Sequence, residues 1–129
     1  MVMLLTILAL LGEPAPRAEP PAVPATAETG YAPHYAKGLM GRVARRRKLD
    51  LARCMVSRPV GPIGAWVWVH GERTGVTLKC LVVDVSHPRD LKRHQRTRRI
   101  VELSWEVTRA LCGSTKDSPK ACRVRVWPA

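Results

Sequence analysis

The stretch "AWVWVHGERTGVTLKCLVVDVS", residues 65–86, decides how the rest of the chain is read. Two runs rich in β-branched and aromatic residues flank Gly71-Glu72-Arg73-Thr74-Gly75, a cluster of turn residues, so the segment predicts a β-hairpin. In the first run Trp66 and Trp68 fall on one face and Val67 and Val69 on the other. The second run is apolar until it stops on one carboxylate, Asp84. That aspartate is followed by a strongly cationic loop, "RDLKRHQRTRR" (89–99), and then by "RIVELSWEVTRAL" (99–111), which reads as a short strand and a helix. An acid at the end of a hydrophobic strand, facing arginines, is either an ion-pair partner or a proton donor.

The chain has 129 residues, enough for one small domain. Its net charge of +12 is localised: residues 37–99 hold 16 of the 22 basic and four of the ten acidic residues, and the remainder is neutral. Such a patch favours an anionic partner, whether nucleic acid, acidic lipid or a cell-wall polymer. "MVMLLTILALLG" (1–12) is too short to span a bilayer and suits a signal-peptide core or an anchor, with a small-residue cleavage site at Ala25-Thr26-Ala27. Residues 13–29 carry five prolines and no aromatic residue, and read as an extended linker. The folded domain is then 30–129, with no stable membrane span in the mature form.

Four cysteines in a small exported domain predict two disulfides. Cys112 and Cys122 flank a polar loop with Gly113, Ser114 and Pro119 and are the easiest pair to close, leaving Cys54 with Cys80; four cysteines allow three connectivities in all. No CxxC spacing accompanies the histidines, so no metal is expected, and no glycine-rich phosphate loop or other cofactor motif is present.

"GYAPHYA" (30–36) reads as a first strand with Tyr31 and Tyr35 on one face, "GLMGRVARRRKL" (38–49) as a short basic helix, and "RCMVS" (53–57) as a strand. Ser104 is a suitable N-cap for "WEVTRALC", and Gly113 can end that helix in the left-handed conformation. "CRVRVWP" closes the chain as a half-buried strand, Val124 and Val126 opposite Arg123, Arg125 and Trp127. The fold class expected is mainly β: a small six-stranded barrel with one or two short helices.

The order of these elements resembles the double-psi β-barrel of the rare lipoprotein A-like proteins, relatives of expansins and barwin-type domains. Tyr35 ends a strand, Gly41-Arg42 follows, "PIG" (62–64) leads into the hairpin, and the hairpin ends in "VVDVSHP" before "RIVELSWEVTRAL". The resemblance spans roughly residues 31–127. It implies an exported or envelope (periplasmic) protein, a monomer, that binds peptidoglycan or another anionic wall glycan, and in some members cleaves it as a lytic transglycosylase. Such cleavage needs one carboxylic acid to protonate the glycosidic oxygen, while the sugar's own 6-hydroxyl closes an anhydro ring. Asp84 falls at the family's aspartate and is the candidate general acid; His87 and Glu102 are weaker candidates.

Three departures stand out. Arg58 occupies the position of the family's usual histidine, Asp-Arg-Gly-Pro is replaced by Asp84-Val85-Ser86-His87-Pro88, and the aspartate of Ile-Asp-Leu-Ser is Glu102. Tyr35, Arg42, Arg58, Trp66, Trp68 and Arg89 are the candidate substrate-binding residues, with the tryptophans as stacking platforms for sugar rings. Arg58, Arg89 and Arg93 are the cations expected near Asp84, and His34, His70 and His94 are expected at the surface or at sheet edges. The alternative is a non-catalytic nucleic-acid-binding or structural module using 42–48 and 89–99.

Overall fold

The computed structural model describes residues 19–116 and 122–129; the expected signal or anchor segment 1–12 and the first part of the linker lie outside them. Six strands form one curled half-barrel sheet: β1 (Glu28–Tyr31), β2 (Met55–Arg58), β3 (Trp66–Gly71), β4 (Thr77–Val85), β5 (Glu102–Leu103) and β6 (Arg123–Pro128), in the order β1-β6-β3-β4-β2-β5. β2 runs parallel to β4, with a register shift between Val56 and Ser57, and every other pairing is antiparallel. Isolated bridges from Tyr31 to Arg99 and from His34 to Leu103 bring the stretch after β1 to the strand at the opposite edge of the sheet.

The hairpin expected over 65–86 is present as β3 and β4. Val67 and Val69 are buried, Trp66 is exposed and Trp68 half-buried, so alternation sorted the faces correctly. β4 does not alternate, and its reason is burial on both sides. Cys80 and Val82 belong to the main core with Val56, Leu103, Val124 and Val126, onto which α3 (Trp105–Cys112) lays Val107 and Leu111. Leu81 and Val83 belong to a second cluster with Met55 and with Met40 and Ala44 of α1 (Leu39–Arg46). The disulfides are Cys54–Cys80, tying the approach to β2 onto β4, and Cys112–Cys122, tying the end of α3 to the start of β6.

Five expectations are corrected. The first strand is Glu28–Tyr31, not 30–36: it starts within the stretch read as linker and pairs Glu28 with Val126, and Pro33, lacking an N–H, is placed beyond its end. The cationic segment 89–99 is not a loop. Pro88 opens a 3₁₀ turn that runs into α2 (Leu91–Thr97), His87 caps it by accepting the Arg89 N–H, and Arg98 ends it in the left-handed region at φ 55°. With α2 there are three short helices among the described residues, not one or two. The strand expected at 99–103 is reduced to Glu102–Leu103. Gly113 does end α3 at φ 75°, and Ser104 sits at the N-cap position but makes no side-chain cap; its Oγ is buried with no hydrogen-bond partner among the described residues.

Candidate functional site

Asp84 sits near the end of β4, where parallel pairing sets it beside Ser57 of β2; Ser57 in turn pairs with Glu102 of β5. Cross-strand partners share a sheet face, so Asp84, Ser57 and Glu102 form a row across three strands. Neighbouring strands lie about 4.8 Å apart, which puts the two acidic residues' backbones roughly 10 Å apart. A cleft of about 420 Å³ opens over this row, lined by Tyr35, Ser57, Asp84, Ser86, His87 and Glu102, with Asp90, Arg93, His94 and Arg99 completing its wall.

Asp84 is held from two directions. The Tyr35 hydroxyl donates to Oδ2 at 2.9 Å, and Arg47, just past the end of α1, donates from Nη2 to Oδ1 at 2.7 Å. The carboxylate side chain is 20 % exposed and the arginine 41 % exposed, so water reaches the pair and weakens it. Tyr35 is itself perturbed. Burial pushes its phenol well above the usual range, the Asp84 carboxylate pushes the same way, and the buried Ser57 hydroxyl opposes them.

His87 lines the lip of the cleft, but its Nδ1 accepts the Arg89 N–H at 3.2 Å, so the ring serves the turn as a cap. Arg93 lines the cleft and pairs with Asp90 at 3.2 Å. His94 is 5 % exposed, correcting the surface role expected of it, because α2 turns it inward against Ser86. His34 is half-buried and bonds the Tyr35 and Thr115 carbonyls, and His70 meets Thr77 across the hairpin.

The remaining sequence candidates lie elsewhere. Arg58 turns away from Asp84: it donates to the Ile100 carbonyl at 2.6 Å and pairs with Glu28 at 3.0 Å, bracing β2 against β1 and lining an adjoining hollow of about 390 Å³. Arg42 is exposed on α1 beside Arg45 and Arg46. Arg89 is exposed in the turn before α2. Trp66 and Trp68 stand on the outer face of β3, away from the cleft, with Lys79 over the Trp66 ring. Thus Tyr35, Asp84, His87 and Glu102 come together, while Arg42, Arg58, Trp66, Trp68 and Arg89 do not join them. Arg47, Ser57, Ser86 and Arg99 were missed. Arg47 was one cation among many in "RVARRRK", and only the fold brings its side chain to Asp84. Ser57 was the more legible of these, as a hydroxyl at the end of the apolar pair Met55-Val56.

No family model matches the chain, and no curated protein matches it.

Proposed function

We propose that this is an exported, envelope-facing module that binds a peptidoglycan-type glycan strand in the cleft over Asp84, Ser57 and Glu102, on a barrel of the double-psi type. The observation that carries the reading is the row of two carboxylates flanking a buried hydroxyl, with a tyrosine hydroxyl bonded to one of them. Sugar recognition calls for acceptors and donors fixed before binding; Asp84, Ser57 and Glu102 are placed by strands, and Tyr35, between β1 and α1, is fixed by its bond to Asp84. The gap of roughly 10 Å between the acidic strands suits one sugar ring. Two disulfides fit an oxidising compartment, and no helix among the described residues is long and apolar enough to cross a membrane. Ala25 and Thr26 form an exposed turn just ahead of β1, where cleavage would leave the sheet intact.

Within this reading Asp84 remains the candidate acid for glycan cleavage, and Arg47 is what opposes it. The guanidinium occupies Oδ1, so a glycosidic oxygen reaches that atom only when the cation moves. Half-exposed Arg47 is free to swing toward a stem-peptide carboxylate of the wall, which would leave Asp84 with Tyr35 alone.

The test compares wild type with Asp84→Asn on purified sacculi, following both pelleting and soluble anhydro-muropeptides. Pelleting by wild type is expected. Anhydro product from wild type and none from the variant, with binding kept, assigns Asp84 as the acid; binding by both without product makes the module a binder. Failure of wild type to pellet above a heat-denatured control would sink the glycan reading.

A further inference from the structure

Beyond Asp84 the chain leaves β4 through Val85 and Ser86, turns at Pro88–Asp90 and returns in α2. That path lines up a hydroxyl, an imidazole and a carboxylate. Ser86 Oγ lies 2.7 Å from His94 Nδ1, and His94 Nε2 lies 3.8 Å from Glu102 Oε1. The three residues come from three separate parts of the fold, and all of them line the cleft described above. The His94 side chain is 7 % exposed, whereas Ser86 is partly open to the cleft.

A buried histidine with a hydroxyl on one nitrogen and a carboxylate beyond the other has the layout that activates a serine nucleophile. The tautomer protonated at Nε2, toward Glu102, leaves the Nδ1 lone pair for the Ser86 proton. The separation of 3.8 Å on the carboxylate side is an electrostatic contact longer than a hydrogen bond, and such contacts are commonly loose before substrate binds. The same cleft offers a cation for developing negative charge: Arg99 lines it, and its Nε is buried with no hydrogen-bond partner among the described residues.

We infer that Ser86 is the nucleophile and His94 the general base for hydrolysis of a small acyl ester carried on a polar, hydroxyl-rich alcohol, with Glu102 as the positioning residue that holds the ring. Ser86 Oγ bonds to the acyl carbon as its proton passes to His94 Nδ1. The bond from that carbon to the alcohol oxygen then breaks, and the alcohol leaves with the proton from His94. Water repeats the two transfers on the acyl-serine, releases the carboxylic acid and restores Ser86. Tyr35, Ser57, Asp84 and Arg93 make the surrounding wall polar, which suits the alcohol; the small acyl group follows from the modest cleft volume. The inference needs only the cleft and stands whether or not the polymer is a wall glycan.

The test uses the whole protein and two probes that contain no sugar. A fluorophosphonate is expected to form an adduct on Ser86, located by peptide mass spectrometry. Hydrolysis of p-nitrophenyl acetate is expected to fall about 100-fold or more in Ser86→Ala. Glu102→Gln is expected to keep the adduct site, lower kcat more than KM and shift the acidic limb of the pH profile, with Glu102→Asp restoring part of the rate. Absence of an adduct on Ser86 in the wild type, which needs no variant to fold, overturns the inference, as does unchanged hydrolysis in Ser86→Ala.

Discussion

At the scale of single residues, Tyr35 is the group whose setting makes the sharpest demand. Its hydroxyl is donated to Asp84, and its phenol is half-buried beside Ser57. Ionising it would place a second negative charge against the carboxylate in a poorly solvated position, so the folded state holds the proton more tightly than the unfolded chain does. A phenol raised in this way contributes stability that is fully present below its unfolded pKa, near 10, and is lost as pH climbs above that value toward the higher folded one. In a Tyr31→Phe variant, where Tyr35 is the remaining tyrosine, the folded protein is expected to show no phenolate absorbance at pH 11, and phenolate should rise together with unfolding. Ordinary phenolate absorbance from the folded protein at pH 10 to 11 would mean that the burial of Tyr35 beside Asp84 does not hold in solution. Arg47 makes the opposite case: it is close to Asp84, yet its exposure limits the pair to about 0–1 kcal/mol, so its importance lies in the charge it sets in the cleft and not in stability.

At the scale of elements, α3 is docked on β3 more closely than side chains alone would allow. Gly71, the last residue of β3, is buried, and a Cβ built there would collide with the Leu111 carbonyl of α3. The hydroxyl of Thr74, in the hairpin turn, donates to that same carbonyl at 3.0 Å, so the turn, the strand and the helix meet at one oxygen. Gly71 was legible in the sequence as a turn residue. That it also serves as a helix seat was not, since Leu111 is 40 positions away. Gly71→Ala is expected to cost about 1–3 kcal/mol in denaturant unfolding, by forcing α3 off the sheet. A change under about 0.5 kcal/mol, the scatter of neutral surface substitutions, would show that the helix seat is slack.

At the scale of the molecule, the cationic charge and the cleft are distinct assets. Arg42, Arg45 and Arg46 of α1 and Lys92 and Arg96 of α2 are exposed, so their attraction to any polyanion is screened beyond about 10 Å at 0.1 M salt. The cleft contacts are short, direct hydrogen-bonding groups and are screened far less. Sacculus binding is therefore expected to weaken between about 0.05 and about 0.5 M salt and then level off at a salt-resistant remainder, which disappears in a Tyr35→Phe/Asp84→Asn double variant. Binding to DNA should instead decline steadily on a log–log plot without levelling off, the mark of counterion release. A sacculus curve that also falls without a plateau would make charge the whole of the interaction.

The sequence by itself determined the elements whose signal is local: the β3–β4 hairpin by alternation around a turn cluster, α1 and α3 by helical spacing, and β6 by its strict alternation. It also pointed to the two disulfides, because the short polar stretch between Cys112 and Cys122, at a separation of 10, favours closing that pair. The α2 helix was hidden because its polar sequence buries little more than His94 among the described side chains, leaving no apolar stripe to read. What only the tertiary structure decided is which charges meet. Arg58, Arg89 and Arg93 were the cations expected at Asp84, yet it is Arg47, 37 positions away, that reaches it, and Arg58 is drawn off to Glu28 and Ile100. The same holds for the Ser86–His94–Glu102 line, which exists only because a parallel strand pair and an inward-turned helix converge on one cleft. Local spacing governs backbone and burial, but an ion pair or a proton relay is a distance between distant residues, and that distance is set by the whole fold.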